Sequence, residues 1–172
     1  GAEATVLLVA GTSRLSHRHP LPTTAQLGDR AMAVVCARRN GLIANVTRWV
    51  GSARDGDDRI LEVEADTFDA TVPGARLVDL LDVIVRSYPA HGFSQDEWLL
   101  HHQGGPTGYA GRDPRVVPGV PDVVVDAQAF AWNPTGPNVK VEDTVVVGAG
   151  GIEVLSVDDR WPTVDVRGRR RP

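Results

Sequence analysis

The 172-residue chain has little sulfur and few aromatic rings: one Cys, one Met, and Phe, Trp and Tyr together at 5%. A single cysteine, Cys36, makes no disulfide within the chain and no zinc cluster, which fits a reducing, cytoplasmic compartment. It stands in the apolar stretch VVCAR with no activating group nearby in sequence, and reads as a buried structural thiol. Long apolar runs are missing too. None approaches the roughly 20 residues of a bilayer-spanning helix, so no membrane association is expected. The N-terminus shows no basic segment followed by an apolar stretch, hence no visible signal peptide. There is no basic excess: the net charge is −4, which argues against nucleic acid as a partner. The one basic cluster, Arg167-Gly168-Arg169-Arg170-Arg171, reads as a solvated, frayed end.

What is present is an ordinary globular composition, 42% apolar and 23% charged, at a length suited to one domain with a real core. Thr5 to Ala10 reads as a buried strand. Arg14 to Pro22 reads as extended, because Pro20 and Pro22 forbid helix there. Ala31 to Ala37 and Leu42 to Val50 read as strands joined by Asn40-Gly41, a hairpin turn in which both residues tolerate positive φ. Helical spacing then takes over, from Asp57 or Asp58 as cap to about Thr71. A break at Val72-Pro73-Gly74 precedes a second helix from about Ala75 to Ala90, closed by Gly92. Strands return at Trp98–Gln103, Val123–Asn133, Val139–Val147 and Ile152–Ser156, with a turn at Asn133-Pro134-Thr135-Gly136-Pro137. The two β regions are weakly alike, each with histidines followed by a hairpin, but only the second is preceded by helices.

Four stretches in this order resemble the pita-bread superfamily of creatinase, aminopeptidase P and methionine aminopeptidase. They are LGDRAMAVVCARRNGLIANVTRWV, the helix pair around Pro73-Gly74, HHQGGPTGY and VKVEDTVVV. The resemblance implies an α+β fold with an antiparallel curved sheet, helices on one face, and the first helix pair missing from this chain. It divides the chain into leading strands over 1–30, the pita-bread domain over 31–160 and a basic tail over 161–172. It also implies a site. Members with metal hold two ions on two aspartates, a histidine and two glutamates, and these positions fall on Val34, Asn45, His102, Asn133 and Glu142. Only His102 and Glu142 keep a ligand of the family's kind, so no metal and no cofactor is expected.

The resemblance further places a substrate-positioning histidine at His17, eleven positions before Gly28, with His19 its close rival. A second such position falls on Tyr109. The candidate catalytic set is therefore His17, His19, His102 and Glu142. The substrate-binding set is Asn45, Asn133, Tyr109 and Arg112, with Trp132 in the core or the pocket wall. His101 alternates away from His102 on its strand and reads as structural. Three functions follow from the resemblance: a metal-independent enzyme acting on a small polar carbon–nitrogen or amide substrate, an inactive binding or scaffolding module, and a residual mononuclear metallopeptidase. The expected partners are a small-molecule or peptide-like substrate, plus another copy or another chain that supplies the missing helices and covers the first strand.

Overall fold

The computed structural model describes residues 1–172. A three-stranded antiparallel sheet opens the chain, β1 (Glu3–Gly11), β2 (Arg30–Arg39) and β3 (Leu42–Gly51), in the order β1-β2-β3. Asn40 and Gly41 make the β2–β3 turn with φ of 51° and 84°, the left-handed conformation their side chains permit. The segment before β2 is not extended as expected. One turn of 3-10 helix at Thr12–Arg14 leads into an irregular loop. The Pro20 carbonyl of that loop accepts the Val9 N–H at 3.0 Å, pinning the loop to the free edge of β1.

Helices α1 (Asp57–Ala70) and α2 (Leu77–Ala90) follow. The expected Asp cap is replaced by Gly56, at φ 98°, while Asp57 lies inside the first turn and pairs with Arg30 at 2.7 Å. Ile60, Leu61, Val63 and Phe68 of α1 and Leu77, Leu80, Leu81, Ile84 and Tyr88 of α2 recur at helical spacing, and all are buried. They pack against Phe130, Trp132, Val145 and Val147 to form the main core.

The second sheet runs β4 (Gly104–Pro106), β5 (Ala129–Trp132), β8 (Asp143–Gly148), β9 (Gly151–Val154), in that order. Between β5 and β8 a small hairpin, β6 (Thr135–Gly136) and β7 (Val139–Lys140), projects toward the helices. Three expected strands are shorter than the β-rich sequence suggests, each for a local reason. At Glu97–Leu100 a 3-10 turn replaces strand, and the Gln103 amide donates back to the Trp98 and His101 carbonyls at 2.8 and 2.7 Å. Val123 and Val124 leave the sheet to pair with Arg76 and Ala75 at the start of α2. Val139–Val147 is interrupted at Val141-Glu142, where Glu142 pairs with Thr47 and joins the two sheets.

The C-terminal segment is not frayed. It folds as the hairpin β10 (Val164–Val166) and β11 (Arg169–Arg171), and Arg171 is 2% exposed. Its guanidinium pairs with Glu64 and lies 2.9 Å from Asp143, which also holds Arg48 at 2.8 Å. Arg167 pairs with Glu62, Asp66 and Asp69 along α1. Carboxylates spaced along one helix face dock the arginines that the sequence displays as a run. No helix is long and apolar enough to cross a membrane.

Candidate functional site

Where the first sheet meets the second lies a cavity of about 280 Å³. Strand alternation decides which residues reach it. Leu8, Val34 and Cys36 face inward from β1 and β2, Asn45 from β3, and Lys140 and Glu142 from either side of the β7–β8 break. His19 enters on the loop after β1, His102 and Asn133 flank β4 and β5, and Arg112 and Arg115 come from the loop after β4.

Arg112 dominates the interior. Its guanidinium donates to Asn45 Oδ1 at 2.6 Å, forms a tight ion pair with Glu142, and passes 3.7 Å from Cys36 Sγ. The second Glu142 oxygen accepts the Thr47 hydroxyl at 2.9 Å and lies 4.0 Å from Lys140 Nζ. Asn45 is fixed on both sides: its amide nitrogen donates to Thr107 Oγ1 at 3.3 Å, and its backbone exchanges bonds with the Thr144 hydroxyl. Asn45, Thr47 and Glu142, which surround the guanidinium, are buried and held.

His19 and His102 line the cavity, and His101 packs against both of their rings. His19 and His101 bring their Nε2 atoms to 3.2 Å, and His101 and His102 stack with ring centroids 4.5 Å apart. Each of the three offers a nitrogen within 4.8 Å of the others. Burial pushes His101 down to about 2, with Lys140 adding to the effect, and His102 down to about 3, with Arg112 and Arg115 adding. His19 is lowered as well, mainly by burial. All three are neutral near pH 7. Lys140 is lowered by its burial, partly offset by Glu142.

Several expected site residues sit elsewhere. His17 lines a neighbouring cleft with Arg18 and Glu97, because the 3-10 turn at Thr12–Arg14 rotates the chain; His19 takes the place in the cavity. Tyr109 is 78% exposed on its loop and lies over the Gly41 turn, outside the cavity. Trp132 is fully buried and stacks on Phe130 in the main core, so it forms no wall. His101 joins the histidine cluster instead of facing away, since paired-strand alternation begins only at Gly104. Cys36 is only half-buried and lines the cavity, its thiol pushed up by desolvation. Lys140 and Arg115 were missed. The signal for Lys140 was present: it stands two residues before Glu142, on the same side of an extended chain.

No protein-family model matches the sequence, and no curated protein matches it. Solved structures do. Prolidase from Pyrococcus furiosus superposes with a TM-score of 0.77 at 21% identity, over 93% of this chain and 52% of that one. Dipeptidase PepE from Mycobacterium ulcerans gives 0.71 at 18%, over 92% and 46%. The N-terminal domain of FACT complex subunit SPT16 from Eremothecium gossypii gives 0.71 at 16%, over 90% and 40%. The chain thus spans about half the length of the peptidases it resembles. From its two antiparallel sheets, its central helix pair and these superpositions, the protein has the pita-bread fold.

Proposed function

We propose that this chain is a metal-independent pita-bread protein acting on a small polar substrate of amide or other carbon–nitrogen type. The observation that carries this reading is the guanidinium bridge from Arg112 to Asn45 and Glu142. By the resemblance, Asn45 and Glu142 stand at two of the superfamily's metal-ligand positions, and the bridge takes up both.

The dinuclear centre that the fold implies does not fit these residues. Val34 offers no donor atom, Asn45 Oδ1 already accepts from Arg112, and both Glu142 oxygens are engaged. A divalent ion about 4 Å from a guanidinium is repelled by roughly 8 kcal/mol at an effective dielectric of about 20. One carboxylate cannot offset that for one ion, still less for two.

The remaining groups support proton transfer and orientation. His102, neutral and facing the cavity, is the candidate general base, with His19 beside it as rival or relay. Asn133 keeps its Oδ1 unpaired, free to accept a substrate N–H. Glu142 serves by holding Arg112, since its own oxygens are taken.

Elemental analysis of protein purified with no metal-stripping step tests the first half of the reading. Stoichiometric manganese, cobalt, zinc or iron would sink it. For the second half, His102→Ala is expected to abolish turnover of any amide substrate found by screening, while leaving the fold intact. Unchanged turnover removes His102 from the chemistry.

A second reading, a binding module without turnover, is favoured by the full engagement of Glu142 and by the likeness to a domain of a complex subunit. Saturable binding of an amide with no product formed would select it.

A further inference from the structure

The charges lining the cavity do not cancel. Arg112, Arg115 and Lys140 face Glu142, the one carboxylate among the lining residues, and the imidazoles add no negative charge. Glu142 is committed to Arg112, which leaves two cations without a close anionic partner. Arg115 stands exposed at the rim and forms no ion pair. Lys140 is buried, its side chain 4% exposed, and its ammonium reaches only Thr135 Oγ1 at 3.4 Å and Glu142 at 4.0 Å. Both contacts are long for a charged donor, whose hydrogen bonds normally close to about 2.7–2.9 Å. Two further polar atoms beside the cavity, Arg112 Nε and His102 Nδ1, are buried without a partner.

An ammonium withdrawn from water and left with such contacts is costly, and the cost falls when an anion completes its shell. A divalent cation beside the three imidazoles would worsen the imbalance. The volume, about 280 Å³, falls just short of the roughly 300–1,000 Å³ of drug-sized sites and suits a molecule of amino-acid size.

We propose that the ligand of this cavity carries a small oxyanion, a carboxylate or a phosphate, clamped between Lys140 at the floor and Arg115 at the rim. Its neutral part then lies against His102 and Asn133. This rests on the metal-independent reading above and names the substrate class for that same site.

The test is thermal unfolding of the full chain at constant ionic strength in chloride, with sodium acetate, sodium phosphate or neutral acetamide added. Acetate, phosphate or both raise the midpoint saturably, and acetamide at the same concentration does not. An effect of acetate alone assigns a carboxylate; an effect of phosphate alone assigns a phosphate. Arg115→Gln and Lys140→Met each weaken the apparent affinity about tenfold or more, the factor of one charge-assisted hydrogen bond. Should Lys140→Met not fold, Arg115→Glu at its exposed position decides, because reversing that charge abolishes the anion effect. Absence of a saturable anion response, or a response equal in wild type and variants, overturns the proposal. Acetamide binding with no anion effect overturns the oxyanion while sparing the metal-independent site. Stoichiometric bound metal removes the reading beneath both.

Discussion

Arg112 reaches Glu142 from a backbone held at φ 55°, a left-handed conformation uncommon for a residue with a side chain. Glu142 is 2% exposed, so removing the guanidinium strands a carboxylate away from water. Arg112→Met is expected to cost about 3–5 kcal/mol, read from urea unfolding. The double variant Arg112→Met/Glu142→Gln recovers much of that loss, because the stranded charge is gone. A double variant no more stable than the single one would show that the pair is not coupled.

The histidines give a second expectation at this scale. His101 and His102 are depressed in the folded state to about 2 and about 3, whereas the unfolded chain titrates near 6.5. Between about pH 6.5 and 3 the unfolded chain binds the extra protons, so these two groups lower stability as pH falls through that window. Glu64, raised to about 7 by burial with Arg171 opposing, acts in the reverse sense above about pH 4.5. The informative comparison is therefore differential. His101→Gln/His102→Gln is expected to lose less stability than wild type between pH 6.5 and 4, measured by chemical denaturation. Parallel profiles would mean that the imidazoles are already charged.

Among the elements, the β10–β11 hairpin departs most from expectation. A run of arginines gives no hint of its partners, since Glu62, Glu64, Asp66 and Asp69 lie about a hundred residues upstream on α1. Arg171→Met leaves Glu64 buried without its cation and Asp143 with Arg48 alone, and is expected to cost about 3–5 kcal/mol. Arg170→Met, which removes only an exposed pair with Asp159, is expected to cost under about 1 kcal/mol. Equal losses in thermal melts would return the segment to a frayed tail.

Legibility of the elements in the sequence follows the range of the forces that form them. Both helices and the β2–β3 hairpin are set by neighbours a few residues apart, and their positions were readable to within a few residues. The ends of β5 and β8 depend on which distant backbone competes for Val123, Val124 and Glu142, and strand propensity is silent on that. The same division holds in the site. Asn45, His102, Asn133 and Glu142 were assigned through the family resemblance, and the fold brings them with Arg112 to one cavity. His17 and Tyr109 sit elsewhere because a 3-10 turn and an exposed loop each redirect a side chain that spacing alone cannot aim, and Trp132 takes the core position of its two alternatives.

For the molecule as a whole, the two sheets are treated differently. The outer face of the second sheet, with Phe130, Trp132, Val145 and Val147, is sealed by α1 and α2. The corresponding face of the first sheet carries Leu7, Val9, Ala33, Val35 and Val46, and these stay half-buried or exposed. We propose that a second copy of this chain covers this face. Sedimentation of the chain alone is expected to show association that Val35→Lys suppresses at little cost in stability. A monodisperse monomer that Val35→Lys leaves unchanged would count against it.

The guanidinium in the cavity has one more consequence. An ion is on loan from the surroundings: it can be starved, swapped for a competitor or stripped away, and a protein that relies on it inherits the cell's supply of that element. Arg112 is translated with the rest of the chain. On the metal-independent reading proposed above, the positive centre of this cavity arrives with synthesis and needs no loading step.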